Sequence, residues 1–175
     1  MSVIPTRPVL LCLLAITVVC AKHGMAQSRD TVSSKSVDHN TMTAEQHAAL
    51  QDRGKMAMGV DQYASAHEFD VLPYGGRITL EMKDNDSLAI AQIRAHLKLI
   101  QHAFQAGDFS TPEFVHMRAM PGTDVMSRNK ALIGYTYADL PRGGQVIITT
   151  ADPESLAAIQ QFLGAQRGDH KAGGH

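Results

Sequence analysis

The chain has 175 residues, with sixteen Lys and Arg against seventeen Asp and Glu, nine His, two Cys and no Trp. Both cysteines, Cys12 and Cys20, fall in an opening segment that reads as cleaved, so disulfides, thiolate catalysis and cysteine metal sites are excluded from the remainder. Setting aside Arg7 and Lys22 leaves fourteen bases against seventeen acids, a charge of −3 that suits no nucleic-acid surface.

Residues 1–26 have the grammar of a secretory signal: Arg7 in a basic n-region, an apolar run from Val9 to Val19, and small-x-small sites at Val19-Cys-Ala21 and Gly24-Met-Ala26. The run is too short to span a bilayer, and Val19 before Cys20 disfavours lipidation. Export to the periplasm or the extracellular space is therefore expected, with no membrane span after cleavage between Ala21 and Ala26. Residues 27–57 read as a flexible arm, because they begin with Ser, Thr, Asp, Asn and Lys and almost no large apolar side chain. A short helix is expected inside it, opened by the capping box Thr43-Ala-Glu-Gln46 and stopped by Gly54.

From residue 58 to 170 the chain contains one unit twice. Leu72-Pro-Tyr-Gly-Gly and Asp84-Asn-Asp-Ser-Leu-Ala recur 68 positions later as Leu140-Pro-Arg-Gly-Gly and Asp152-Pro-Glu-Ser-Leu-Ala, and nine of the 21 positions from Leu72 to Gln92 are identical to those from Leu140 to Gln160. In the first copy, about 66–106, His67, Phe69 and Val71 alternate with polar residues, as do Ile78, Leu80 and Met82 beyond Pro73-Tyr-Gly-Gly76. Period two on both sides of a turn predicts an antiparallel hairpin. Asp84 or Asp86 then caps a helix that Gly107 ends. The second copy, about 131–168, repeats this with Ile133, Tyr135 and Tyr137, the Pro141-Arg-Gly-Gly144 turn, Asp152 as cap and Pro153 at the first helical position. In both copies the glycine pair reads as a turn requiring positive φ. The fold class is thus α+β, a duplicated ββα-ββα unit in which a four-stranded antiparallel sheet carries two helices on one face. Residues 107–130 join the copies with little periodicity, although Phe109, Phe114, Val115 and Val125 argue for an ordered loop. Residues 171–175 form a tail.

Histidines are unevenly placed. On a helical wheel His96 falls inside the apolar arc of Ile93, Leu97, Ile100 and Phe104, whereas His102 lies opposite, in solvent. His67 shares a strand face with Phe69. Both His67 and His96 are expected between sheet and helix, and either a hydrogen bond or a metal must satisfy a buried imidazole. His116 and Met120 lie four residues apart in the joining loop, so His67, His96, His116 and Met120 make a candidate metal set, with His170 secondary because it rejoins the stripe of Ile159 and Leu163 only if the last helix survives Gly168. Imidazole with thioether and no thiolate suits copper, and imidazole alone suits zinc. His39 and His47 read as incidental. The second copy has Tyr135 at the position of His67, so any site is expected to belong to the first copy and the loop behind it.

Met58-Gly-Val-Asp61, His67-Glu-Phe69, Ile93-Arg-Ala-His-Leu97, Gly107-Asp-Phe109, His116, Met120-Pro-Gly122, Tyr135-x-Tyr137 and Asp169-His170 follow one another in an order that resembles a family of small exported bacterial proteins of undefined function. Some members of that group carry an aspartate carbamoyltransferase label, which this chain does not support: it is too short for a two-domain transferase and has no Ser-Thr-Arg-Thr phosphate loop. It departs from the group at Gln160, where a histidine is common, and at Met117, where a glycine is common.

Nucleophile-elbow, phosphate-loop, dinucleotide and zincin patterns are all missing, so the residues favour binding over catalysis without deciding between them. Three classes remain. The first is an exported binding protein, monomer or homodimer, that holds or delivers a transition metal, copper ahead of zinc. The second is an envelope structural or protein-interaction module whose histidines complete the core, and the third is a binder of a small organic molecule.

Overall fold

The computed structural model describes residues 42–171. The signal, most of the arm with His39, both cysteines and the end of the tail lie outside the described residues.

Thr43 and Gln46 form the expected capping box, each side chain taking the other's backbone N–H, at the start of helix α1, Ala44–Met58. The helix does not stop at Gly54. It continues to a left-handed cap at Gly59, φ 79°. A mid-helix glycine costs about 1 kcal/mol relative to alanine, and here the missing side chain has a use, because a Cβ on Gly54 would lie 1.5 Å from Gln62 Nε2. His47, Leu50, Gly54 and Met58 make a buried stripe, so this helix is packed against the domain rather than left in solvent.

A 3₁₀ turn, Gln62–Ala64, leads into strands β1, Ser65–Leu72, and β2, Gly75–Met82, joined by Pro73-Tyr74. Asp86 accepts from the amides of Leu88 and Ala89 to open helix α2, Ser87–Ala106, which Gly107 closes at φ 80°. Helices α3, Ser110–His116, and α4, Thr123–Arg128, occupy the joining segment. Phe109, Val115, Met120 and Met126 are buried there, which is why the segment is ordered without a repeating pattern. Strands β3, Ile133–Leu140, and β4, Gly143–Thr150, then precede helix α5, Pro153–Lys171, whose amide of Ser155 bonds Asp152. Neither Gly164 nor Gly168 breaks α5.

All strand pairs are antiparallel, in the order β1-β2-β4-β3. Where the copies meet, Ile78 faces Val146, the equivalent residue 68 positions on, so the two units are related by an approximate twofold axis through this pair. That junction explains the repeated glycines better than the turn does. Gly75 has φ 143°, but Gly143 does not need a positive φ; a Cβ on Gly75 would lie 2.1 Å from the Ile148 carbonyl oxygen, and one on Gly143 1.9 Å from that of Leu80. Close approach of the two central backbones is what excludes a side chain.

The buried face of the sheet carries Phe69, Ile78, Leu80, Met82, Ile133, Tyr135, Val146 and Ile148, and the helices meet it with Ile93, Leu97, Ile100, Phe104, Ile159, Phe162 and Leu163. Each helix covers the other copy's hairpin: α2 lies chiefly over β3 and β4, α5 chiefly over β1. The halves are therefore interleaved rather than side by side.

Met117 ends α3 in the left-handed region at φ 53° and is 69% exposed. A side chain in that conformation costs about 1 kcal/mol, and little packing opposes its removal. Met117→Gly is expected to raise stability by about 0.5–1 kcal/mol, read as a higher urea midpoint; a lower midpoint would show that the thioether packs after all.

Candidate functional site

The buried faces of β1, α2, α3 and α5 each contribute one imidazole to a single cavity of about 60 Å³. His67 reaches it from β1, His96 from α2, His116 from the last turn of α3 and His170 from the end of α5. Phe69, Leu97, Phe104 and Phe162 supply apolar wall, and Met58, Gln62 and Gln166 complete the side facing α1 and α5. Arg53 on α1 donates to the Val115 carbonyl at 2.7 Å, tying α1 to α3 over the site.

His67 and His170 stand with ring centroids 5.3 Å apart, and His170 and His116 5.5 Å apart. Phe69 seats the first two, 4.4 Å from His67 and stacked at 5.2 Å on His170. Asp169 Oδ2 lies 2.7 Å from His116 Nδ1 and 2.6 Å from Arg118. A carboxylate only accepts, so Nδ1 carries the proton of the neutral ring. Nε2 is 2.8 Å from Gln166 Oε1, which also only accepts, so a neutral His116 keeps this contact only with the Gln166 amide turned to present its NH₂ to the Nε2 lone pair. His96 donates to the Ala57 carbonyl. His67 Nδ1 and Gln62 Nε2 are buried with no hydrogen-bond partner, and both residues line the cavity.

Burial sets the electrostatics. It pushes His67 well below the ordinary histidine range, and the neighbouring His170, His96 and His116 add to the depression. Burial likewise brings His96 down to about 4 against the bond to Ala57. His170 also falls to about 4, through burial first and then His116, with Asp169 opposing. His116 is lowered by burial while Gln166 and Asp169 resist. All four rings are consequently neutral at pH 7, the state in which imidazole is a ligand.

Of the residues expected at a site, His67, His96, His116 and His170 are brought together, and Met120 is not. Its side chain is 3% exposed within the hydrophobic core, and it does not line the cavity. The thioether on the wall belongs to Met58. Among the described residues no three His, Asp, Glu or Cys side chains are poised together around a metal position. Both ring nitrogens of His116 have side-chain neighbours, and His96 is turned to Ala57.

The site also draws on the second copy, against expectation, because interleaving lays α5 over β1. Sequence reasoning missed Gln166 and Asp169, as well as His47, which is buried and depresses His170 from α1. One signal was available for Gln166: it follows Ile159 and Leu163 at helical spacing, a polar residue on an apolar stripe.

Comparison with family models, curated proteins and solved structures gives no match.

Proposed function

We propose that this is an exported binding protein whose ligand occupies the histidine-lined cavity, and that the ligand is a transition-metal ion, copper ahead of zinc. The observation that carries the reading is the convergence of four neutral imidazoles from four elements on one small cavity, with His67 Nδ1 buried and unpartnered. Two imidazoles bound to one tetrahedral metal at about 2.0–2.1 Å have centroids roughly 5 Å apart, close to the 5.3 and 5.5 Å spacings of His170 from His67 and from His116. Asp169 on Nδ1 of His116 is the carboxylate partner that metal-binding histidines commonly have. His67, His170 and His116 are thus the core set, His116 joining when Gln166 releases Nε2. His96 is a reserve imidazole. Met58 is the soft donor that favours copper. Export rests on the pattern of residues 1–26.

The core-histidine reading has its own support, since His116 and His96 already have protein partners. Titration of the purified protein with Cu(I), Cu(II) and Zn(II) against chelators of known affinity separates the two. One equivalent bound more tightly than micromolar is expected, weakened about 100-fold or more when His67 and His170 both become Phe. Affinity no better than micromolar, or indifferent to that double change, leaves the histidines as core residues.

A further inference from the structure

A second, larger hollow of about 310 Å³ runs along the outer edge of the sheet, bounded by His67, Glu68, Phe69, Asp70, Arg167 and His170. Three of these, His67, Phe69 and His170, also wall the inner cavity, so these residues form the partition shared by the two spaces. β1 is an edge strand, and Arg167 lies along it, donating from Nε and Nη2 to the Phe69 carbonyl at 2.9 and 2.6 Å. That contact occupies the strand edge at Phe69, which makes the hollow a poor seat for an added strand. On its rim Asp70 is engaged by Arg77 at 2.6 Å, and Glu68 stands exposed.

We infer that this edge cleft is the mouth of the cavity, through which a metal cation passes Glu68 and is taken first by His67 and His170. The inference rests on the metal reading above. Three observations favour this route. His67 and His170 line both spaces, so this route needs no passage between α1 and α3, which the Arg53 bond ties together over the site. The unpartnered His67 Nδ1 is fully buried in the residue common to both spaces, so the partition itself presents a donor atom. Glu68 places an exposed carboxylate on the same hollow as the Arg167 guanidinium, the negative charge an incoming cation meets there.

A residue at an entrance changes rates in both directions and leaves equilibrium nearly alone. Uptake of Cu(I) by the purified protein, and its release to excess chelator, are followed by stopped flow at low salt for wild type, Glu68→Gln and Glu68→Lys. Asp84→Lys, in the loop between β2 and α2, is the control for net charge. Expected is a slowing of both uptake and release by about tenfold in Glu68→Lys and by less in Glu68→Gln, with Kd within about twofold and Asp84→Lys unchanged. Rates equal to wild type in both Glu68 variants, or equally slowed in Asp84→Lys, overturn the mouth while the metal site stands. Absence of tight Cu(I) binding in wild type overturns both readings together.

Discussion

Acidifying the metal-free protein from pH 7 to 4.5 is expected to lower its unfolding free energy by about 4 kcal/mol or more. The unfolded chain protonates its histidines near the usual 6.5, while the folded state holds His96 and His170 neutral down to about 4 and His67 lower still. Their neutral burial is thus fully tolerated above pH 6.5 and becomes a penalty as pH falls toward 4, because the unfolded state gains protons that the folded state refuses. A fall from 6.5 to about 4 is worth about 2 kcal/mol per ring at pH 4.5, and His67 adds to the two. Total stabilities of small domains are about 5–15 kcal/mol, so the loss approaches acid unfolding. The depressed carboxylates Asp108, Asp139 and Asp152 act in the same direction but at lower pH, below about 4. Urea unfolding at pH 7, 5.5 and 4.5 is the measurement. In the His96→Leu, His170→Phe double variant the drop is expected to shrink to about half or less, His67 supplying the remainder; an undiminished drop would assign the acid sensitivity to groups other than His96 and His170.

Phe104→Ala is expected to cost about 3–5 kcal/mol. Phe104 is 2% exposed on α2, and its ring is stacked 4.5 Å from Phe109 and set edge-on to Phe162 at 5.7 Å and Tyr135 at 6.0 Å. It therefore joins α2 and the adjacent start of α3 to α5 and β3, which lie far along the chain. Truncation removes the burial of the ring and three aromatic contacts, and it adds the vacated volume to the histidine cavity, which Phe104 also lines. Phe104→Leu, keeping most of the volume, should lose only about 1–2 kcal/mol. The difference between the two variants in chemical denaturation is the test: equal losses would mean that the ring contacts and not the volume matter. A loss below 1 kcal/mol for Ala would mean that the helices collapse into the gap.

The hairpins and long helices were legible because each is encoded locally. Alternation at His67, Phe69, Ile78 and Leu80 placed those residues on one sheet face, Asp86 and Asp152 fixed the helix starts, and Gly107 fixed the end of α2. α1 and the two short helices were less legible. Gly54 looked like a stop because its pairing with Gln62 is tertiary, and α3 and α4 are too short for a period to show.

The sequence by itself determined the duplicated ββα order, the open-face alternation of the sheet and the partial burial of His67 and His96, all properties of neighbours a few residues apart. Only the tertiary structure decided that α5 crosses onto β1. That crossing brings His170, about a hundred residues along the chain, against His67, with Gln166 on the same cavity, and sets His116 against Gln166 and Asp169. It also decided that Met120 fills the core while Met58 faces the cavity. The physical reason is that periodicity gives the face on which a side chain lies, whereas its neighbours depend on which helix covers which hairpin. Two apolar helices over a nearly twofold-symmetric sheet can satisfy the same burial pattern in either arrangement.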